Sequence, residues 1–503
     1  MIASARRARK GPRRSPDLPR AVIDIGSNTV RLVIYGGPSR APVTLWNEKV
    51  AARLGRDLAD TGDIPGAAMD EALAALARYA VIIGDLGIAE VEAVATAAAR
   101  DAGNGAEFLA RAGALGLDIA LLSGEEEARA SAWGAIGAFP GARGTVVDLG
   151  GGSLELTEIR DGGCFGATSL RLGTLRLPAL RAKANFAKKI RKTLKEAGWG
   201  DPRPVPFYMV GGTWRAFASY AMREYDYPLT DPHGFELAAA EAERLAHKLL
   251  RSVPDKLAAI RGISAMRADK LPDAAALLLA MMDAMQPERL VFSSWGLREG
   301  LHFQRLDPLE QAKDPLLAGV AAFASERAAS VTDAALLAGW SAAVAGRGHA
   351  RSERLRLAAA QLAIALHRVE PNLRAAHAVE WALDKRWIDC NARERAALAA
   401  ILLGGLGITA MPTRVERLAP AELLSEATSW GLAYRLAQRL GATARSALSA
   451  STLTIDGNRL VLAIAPDHAA LAVNPVVRDL DALAQRLGLE PRIELAEAET
   501  GAR

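Results

Sequence analysis

The sequence has few cysteines and no long apolar run, and both absences narrow the class of protein. Cys164 and Cys390 are the only cysteines among 503 residues, too few for a disulfide framework or a structural zinc site. The longest uncharged run, residues 396–413, is interrupted by three glycines and a proline. It also falls short of the roughly 20 apolar residues that span a membrane. We therefore expect a protein of the reducing cytoplasm that needs no membrane.

Several phosphate-handling chemistries lack their signatures. The sequence contains no Walker A motif. A cysteine phosphatase places arginine six residues after its nucleophile, but Leu170 stands in that position relative to Cys164. An aspartyl-phosphate enzyme needs Asp-x-Asp, but Gly26 stands two residues after Asp24. The predicted helical block contains no His-Asp pair, which favours core or surface roles over metal binding for its histidines, His349, His367 and His377.

The positive charge of the chain is concentrated at its N-terminus. The net charge is +5, yet the first 20 residues hold seven basic residues and one acidic residue. The rest of the chain is close to neutral, which does not indicate a nucleic-acid-binding body. Three prolines and the absence of an apolar core in this segment predict a disordered basic tail over residues 1–19.

Two glycine-rich loops are the most informative feature that is present. Residues 24–29 (DIGSNT) and 148–153 (DLGGGS) each follow a short apolar run and precede another one. Glycines let backbone N–H groups approach a phosphate closely, and the leading aspartate suits a phosphate that carries Mg²⁺. Two such loops in equivalent settings predict two related lobes that hold a phosphorylated substrate between them.

Two further loops follow predicted strands. Residues 210–213 (VGGT) come directly after an apolar run, and we expect Thr213 to cap a helix that opens at Trp214. Residues 293–300 (SSWGLREG) follow the last short predicted strand of this half. Each loop alone would be read as an ordinary turn, but four in one α/β region favour phosphate binding.

The pattern of apolar residues divides the chain into regions of different class. Strand-like and helix-like runs alternate up to about residue 310, which is typical of α/β structure. Long Ala/Leu/Arg helices follow from about residue 314, and two strands around residues 456–458, a helix and a final strand end the chain. Beyond the two glycine loops we find no internal repeat.

Glu127 is the candidate catalytic residue, although its segment also has a purely structural interpretation. In residues 123–129 (SGEEEAR), Ser123 and Glu126 fit a helix capping box. Glu127 is not needed for that box and could orient a water for attack on phosphorus. Arg100 could clamp a phosphate or form a surface ion pair.

Asp148 and Glu155 flank the second glycine loop and could both reach one Mg²⁺. A run of basic residues over 183–195 is typical of a solvated helix face, and it would also suit a long polyanion.

In combination these segments resemble the exopolyphosphatase / guanosine pentaphosphate phosphatase family of the actin / sugar-kinase / Hsp70 superfamily. The resemblance rests on residues 22–29, 95–102, 123–128, 147–156, 211–213 and 297–300. It implies an α/β protein with two actin-like, ribonuclease-H-type lobes, an all-α HD-like domain and a small α+β C-terminal cap. The implied bounds are a tail at 1–19, lobes at 20–130 and 131–310, the HD-like domain at 311–448 and the cap at 449–503.

The resemblance also implies roles for individual residues. Glu127 corresponds to the glutamate that positions the attacking water, and Asp148 and Glu155, together with Asp24, to Mg²⁺ ligands. The implied phosphate-binding residues are Gly26, Ser27, Asn28, Thr29, Arg53, Arg100, Gly150, Gly151, Gly152, Ser153, Gly211, Gly212 and Thr213.

The implied activity is Mg²⁺-dependent, processive removal of terminal phosphate from inorganic polyphosphate, with K⁺ as a further candidate ion. Guanosine pentaphosphate hydrolysis on the same site, and a silent polyphosphate- or nucleotide-binding regulator, remain open alternatives. Since the His-Asp pair is absent, we expect no second metal site in the HD-like domain. We expect this domain to support a homodimer and to extend the polyphosphate channel, with no nucleic acid required.

Overall fold

The structure is a computed structural model that describes residues 19–345 and 350–495. The predicted basic tail lies outside these residues, apart from Pro19. In the described part of the chain, strands and helices alternate up to residue 304, helices follow to residue 449, and a small sheet with one α-helix ends the chain.

The strands that the structure describes are, in chain order, β1 (Arg20–Ile25), β2 (Val30–Gly36), β3 (Val43–Val50), β4 (Glu90–Ala95), β5 (Ile119–Leu121), β6 (Gly144–Leu149), β7 (Leu154–Arg160), β8 (Gly163–Leu170), β9 (Phe207–Val210), β10 (Glu236–Ala238), β11 (Arg289–Phe292), β12 (Ser451–Asp456), β13 (Arg459–Ile464) and β14 (Glu490–Leu495).

The helices of the α/β part are α1 (Leu58–Thr61), α2 (Gly66–Asp85), α3 (Ala97–Asp101), α4 (Gly105–Gly113), α5 (Gly124–Ala138), α6 (Leu177–Arg181), α7 (Phe186–Glu196), α8 (Gly212–Glu224), α9 (Ala239–Leu249), α10 (Pro254–Ala258), α11 (Ala265–Ala268), α12 (Leu271–Met285) and α13 (Leu297–Gln304).

The helices beyond residue 305 are α14 (Pro308–Ala312), α15 (Pro315–Ser325), α16 (Val331–Trp340), α17 (Ala350–Leu366), α18 (Arg374–Leu383), α19 (Ala392–Gly405), α20 (Thr413–Glu416), α21 (Ala421–Gly441), α22 (Arg445–Ser449) and α23 (Asn474–Leu487), with 3₁₀-helices at Ala342–Ala345 and Pro466–Leu471. None of the helices in the described residues combines the length and apolar character needed to cross a membrane.

The first sheet has the strand order β3-β2-β1-β4-β5. Strands β1, β2 and β3 pair antiparallel, whereas β1, β4 and β5 pair parallel. The apolar runs predicted from the sequence form its centre, because β1 and β2 are buried along nearly their whole length. Helix α2 buries Leu76 and Tyr79 in the same apolar core as β1 and β2.

The second sheet repeats this arrangement. Its order is β8-β7-β6-β9-β11, with β10 added at the edge. Strands β6, β7 and β8 pair antiparallel and β6, β9 and β11 pair parallel, so β6 takes the place of β1. The prediction of two related α/β lobes is therefore confirmed. The repeat is a repeat of strand order, and the two glycine-rich loops were its only sign in the sequence. Strands β8 and β10 were not predicted.

Among the described residues, the helices beyond residue 305 share one apolar core with the second sheet, whereas the first sheet has a separate core. One continuous apolar core runs from β6 and β9 through α12 and α17 to α21 and the last sheet. The last sheet has the order β12-β13-β14, with α23 packed against it. Because the core is continuous, a change in the helical region can reach the second sheet through packed side chains.

Candidate active site

Four glycine-rich loops from the two sheets meet at one cleft with a cavity volume of about 210 Å³. They follow the carboxyl ends of β1, β6, β9 and β11, which is where open α/β sheets bind ligands. The lining includes residues of all four loops.

The first two loops have the same backbone turn. The N–H of Gly26 donates to the carbonyl oxygen of Thr29 at 3.0 Å, and the N–H of Gly150 donates to that of Ser153 at 3.0 Å. The residue that opens each loop pairs across its hairpin with a second charged residue, Asp24 with Arg31 and Asp148 with Glu155. The equivalent positions therefore supply a cation in the first lobe and a carboxylate in the second.

The two loops also touch across the cleft. A Cβ built on Gly152 would lie 2.7 Å from Ser27 Oγ, so the two loops approach each other closely at this point. The amide of Asn28 donates to the sulfur of Met266, on α11 of the second lobe, at 2.8 Å. The two lobes are therefore in direct contact at the site.

The third loop differs from its prediction in one detail. Helix α8 begins at Gly212, two residues earlier than expected, and Gly211 rather than Thr213 is its N-cap. Gly211 has φ +107°, a conformation that a residue with a Cβ rarely adopts. The expected cap is wrong because Gly211, as a glycine, can adopt the conformation that begins the helix two residues earlier. Thr213 then lies inside the helix and does not cap it. The first N–H groups of α8 are left facing the cleft.

Glu127 lies inside the cleft, on the first turn of α5. The predicted capping box is present: Ser123 Oγ accepts from the N–H of Glu126 at 3.2 Å, and Glu126 Oε2 accepts from the N–H of Ser123 at 2.8 Å. Because Glu126 carries out the capping, Glu127 is available for the cleft, where its side chain is 11% exposed. Burial raises the pKa of Glu127 to about 7 against the opposing charge of Arg100, with Asp148 and Asp24 adding to the rise.

Arg100 contacts Glu127 and does not line the cavity itself. Its Nη1 donates to Glu127 Oε2 at 3.1 Å and to the carbonyl oxygen of Leu122 at 3.0 Å. Of the two roles that the sequence left open for Arg100, a phosphate clamp or an ion pair, the structure shows an ion pair, and its partner is the buried carboxylate of Glu127. Arg53 is exposed and outside the lining, although its N–H donates to the carbonyl oxygen of Asn28 at 3.2 Å. It therefore lies beside the first loop.

The three carboxylates predicted to bind metal all line the cleft. Asp148 accepts from Ser131 Oγ at 2.5 Å, and Glu155 Oε1 accepts from Ser169 Oγ at 2.8 Å. Asp24 Oδ2 accepts from Arg298 Nη1 at 2.9 Å. Burial raises the pKa of Asp148, and burial together with the charges of Glu127 and Asp148 raises the pKa of Glu155.

Within residues 19–345 and 350–495, no group of three or more His, Cys, Asp or Glu side chains is arranged to hold a metal ion by itself. This does not disagree with a Mg²⁺ site, because Mg²⁺ commonly takes one or two carboxylates together with water and substrate phosphates. The carboxylate oxygens of Asp148 and Glu155 are of the type that Mg²⁺ prefers.

Sequence reasoning missed most of the cations that line the cleft. They are Arg31, Lys49, Arg215, Arg267, Lys270 and Arg298. Arg298 stands in the fourth predicted loop, and Arg31 could have been found as the partner of Asp24 across the β1–β2 hairpin. Arg267 and Lys270 follow no strand and carry no local signal. Burial, with the charges of Arg267 and Arg298 adding to it, lowers the pKa of Arg215 to about 9.

The arrangement can bind phosphoanhydrides and activate water. The guanidinium groups of the cleft repel one another, which contributes to the lowered pKa of Arg215, and a bound polyanion would relieve this repulsion. Arginine also pairs well with phosphate oxygens. Free N–H groups at glycine loops and at the start of α8 add further donors. A buried carboxylate whose pKa is close to 7 suits a general base at neutral pH.

Comparisons with known proteins place the chain in a family and identify similar proteins. The model of the Ppx/GppA phosphatase family matches residues 33–308, more than half of the chain. Exopolyphosphatase 1 of Mycobacterium leprae is 29% identical over 303 residues, covering 57% of this chain and 89% of that protein.

Two solved structures show the same fold. A Ppx/GppA family member from Aquifex aeolicus has a TM-score of 0.51 at 24% identity, covering 59% of this chain and 100% of its own. An exopolyphosphatase from Cytophaga hutchinsonii has a TM-score of 0.51 at 24% identity, covering 57% and 97%. The match to the family model ends near the end of α13, so the helices and the small sheet beyond it lie outside that match.

Proposed function

The chain belongs to the Ppx/GppA phosphatase family, and on that basis we propose that it is an exopolyphosphatase that hydrolyses the terminal phosphoanhydride bond of inorganic polyphosphate. The observation that carries the proposal is the buried carboxylate of Glu127 in a cleft lined by four glycine-rich loops and six cationic side chains. Water and polyphosphate give orthophosphate and a chain shorter by one phosphate.

The protein residues divide the work of the reaction. The loop N–H groups and the cations of the cleft bind and neutralise the phosphoryl oxygens. Glu127 orients a water in line with the scissile P–O bond and accepts its proton, and the leaving oxygen departs with the shortened chain. Arg100 holds Glu127 in place through Nη1.

We propose Mg²⁺ as the cofactor, held by Asp148 and Glu155 with Asp24 nearby. The donor set fits, because burial raises the pKa of Asp148 and of Glu155 and neighbouring carboxylates add to the rise, so that a cation would relieve the repulsion between them. When bound, Mg²⁺ supplies Lewis-acid stabilisation of the phosphoryl oxygens. A K⁺ requirement is a further point to test.

We extend the proposal to the parts of the chain outside the family match. The helices that follow residue 311 are proposed to form the HD-like domain, to support a homodimer and to lengthen the path of the polymer, which favours processive release. The small sheet and α23 are proposed as the small α+β C-terminal cap. We propose a cytoplasmic setting, in line with the free thiols of Cys164 and Cys390.

Phosphate release tests the proposal directly. The intact protein is assayed on long-chain polyphosphate and on guanosine pentaphosphate, in parallel, with Mg²⁺ and with EDTA. We expect Mg²⁺-dependent release from the polymer at a higher kcat/KM than from the nucleotide. Faster release from guanosine pentaphosphate would reverse the substrate assignment.

If the protein releases phosphate from neither substrate but binds one of them tightly, the assignment as an enzyme is wrong. The protein would then be a polyphosphate- or nucleotide-binding regulator.

A further inference from the structure

The loop between α8 and β10 connects the helical region to the active-site cleft. This bridging loop, residues 225–235, is part of the second lobe and lies within the family match. Arg386, Arg414 and Arg417 come from the helical region beyond that match. All three arginines bond to the bridging loop, so the helical region holds it at several points.

Two of these arginines hold the outer part of the loop. Arg414 Nε donates to the carbonyl oxygen of Pro228 at 2.7 Å. Arg417 Nη1 donates to Asp226 Oδ2 at 2.9 Å, but the Asp226 side chain is 89% exposed. An ion pair this exposed contributes little by itself. These contacts attach the loop without reaching the cleft.

The third arginine reaches the inner part of the loop. Arg386 donates to both carboxylate oxygens of Asp231, from Nε to Oδ2 and from Nη2 to Oδ1, the latter at 2.9 Å. The Asp231 side chain is only 16% exposed. Although burial opposes it, the hydrogen bonds and charge of Arg386 lower the pKa of Asp231 to about 2. A two-pronged contact to a buried carboxylate fixes orientation as well as position.

Asp231 passes this constraint to a residue of the cleft. Its Oδ1 accepts from the N–H of His233 at 3.2 Å and lies 3.4 Å from the Ser294 hydroxyl. The N–H of Ser294 in turn donates to His233 Nδ1 at 3.2 Å. Burial lowers the pKa of His233 to about 3, so the ring stays neutral and Nδ1 remains an acceptor at neutral pH. Phe139 stacks on the ring at a centroid distance of 5.0 Å.

Ser294 belongs to the fourth glycine-rich loop, whose other members act directly on the site. Ser294, Gly296 and Arg298 all line the cleft. Arg298 Nη1 donates to Asp24 Oδ2 at 2.9 Å and so joins this loop to the first glycine-rich loop. A shift at Ser294 therefore moves the cation that holds a proposed metal ligand.

We infer that Arg386 is a positioning residue for turnover: the helical region fixes the fourth glycine-rich loop through Arg386, Asp231 and His233. This inference rests on the proposed phosphatase function, because it concerns the geometry of that same cleft. Misplacing a reacting group by about 1 Å can cost on the order of 100-fold in rate. Since Arg386 acts through two intervening residues, we expect a smaller loss of about tenfold in kcat.

The experiment compares Arg386→Ala with Arg417→Ala in the full chain. Both variants remove an arginine of the helical region from the same bridging loop, but only Arg386 contacts Asp231. Two readouts are taken: kcat and KM for phosphate release from polyphosphate, and amide hydrogen exchange of the peptide that covers residues 290–297. The exchange reports the N–H of Ser294, which bonds to His233, and needs no activity.

We expect Arg386→Ala to lower kcat about tenfold with little change in KM and to speed exchange in that peptide. Arg417→Ala should change neither. Arg386→Lys, which keeps the charge but loses the two-pronged contact, should lie between. In an Asp231→Ala background, which removes both acceptor oxygens, Arg386→Ala should add less than twofold, because both variants break the same chain of contacts.

Unchanged exchange in Arg386→Ala would overturn the inference, and so would faster exchange with unchanged kcat. An equal effect of Arg417→Ala would also overturn it, because any contact that attaches the bridging loop to the helical region would then suffice for turnover, and the contact with Asp231 would have no special role. If the wild-type protein releases no phosphate, the proposed function fails; the exchange result then still decides whether Arg386 orders the fourth loop.

Discussion

Helices α5 and α13 cross closely, and the crossing sets the position of two residues of the cleft. Helix α5 carries Glu127 and α13 carries Arg298. A Cβ built on Gly300 would lie 1.7 Å from the carbonyl oxygen of Ala130 and 2.7 Å from the N–H nitrogen of Gly134. Both contacts are to backbone, which cannot rotate out of the way. We therefore choose Gly300→Ala as the most informative packing variant.

The expected size of the effect follows from these distances. Ordinary Cβ contacts begin at 3.4 Å, so at 1.7 Å the methyl group overlaps Ala130 by half of that distance. The two helices must separate by more than 1 Å. Overpacking of this kind costs about 3 kcal/mol in free energy of unfolding. Since Glu127 and Arg298 move apart with the helices, kcat should fall on the order of 100-fold.

The assays are urea unfolding and phosphate release from polyphosphate. Gly339→Ala is the matched control, because a Cβ at this glycine of α16 meets no atom within 4 Å. It should leave kcat unchanged and raise the free energy of unfolding by up to about 1 kcal/mol, through the better helix propensity of alanine. Wild-type stability and kcat in Gly300→Ala would refute the argument that the crossing positions the site.

Three further variants test other parts of the account. Arg354→Ala removes the cation from a mostly buried ion-pair network in the helical region, so urea unfolding should show a loss of about 3 kcal/mol; a loss below 1 kcal/mol would contradict it. Burial lowers the pKa of His302 to about 4, below its unfolded value of 6.5. The unfolded protein therefore binds more protons at this histidine than the folded protein does. The free energy of unfolding thus decreases as the pH falls from 6.5 towards 4. Between pH 7 and pH 5 the wild type should therefore lose about 2 kcal/mol more than His302→Gln; equal losses would argue against a neutral buried ring. Asp148→Asn should weaken Mg²⁺ binding in calorimetry, whereas Asp161→Asn, on an exposed turn, should not; unchanged binding in Asp148→Asn would remove Asp148 from the metal site.

Local features of the sequence predicted the loops of the site well. Glycine-rich segments after apolar runs are visible without any knowledge of the fold, and Asp24 together with residues 26–29, 148–153 and 210–213 lines the cleft. The spacing of the capping box assigns Glu126 to the helix cap, and so the different role of Glu127 could be recognised from the sequence. These features are local, since a turn, a cap or a strand end involves only a few neighbouring residues.

Contacts between distant segments could not be predicted in the same way. Arg267 and Lys270 reach the cleft only because α11 and the start of α12 fold over it. Arg53 was expected in the cleft and lies beside it, because its neighbourhood in the sequence does not encode the direction of an exposed side chain. The contact of Arg386 with Asp231 spans 155 residues and has no local signal.

The most direct test of the central claim is the phosphate release of Glu127→Gln compared with Glu125→Gln. Both residues lie in the first turn of α5, but Glu125 is exposed and pairs with Arg129, whereas Glu127 is buried in the cleft. Glutamine keeps the shape of the side chain and an oxygen for Arg100. We predict that kcat of Glu127→Gln falls about 10²- to 10⁴-fold, the usual contribution of a general base, with polyphosphate binding retained and Glu125→Gln at the wild-type rate. Wild-type turnover in Glu127→Gln would contradict the account.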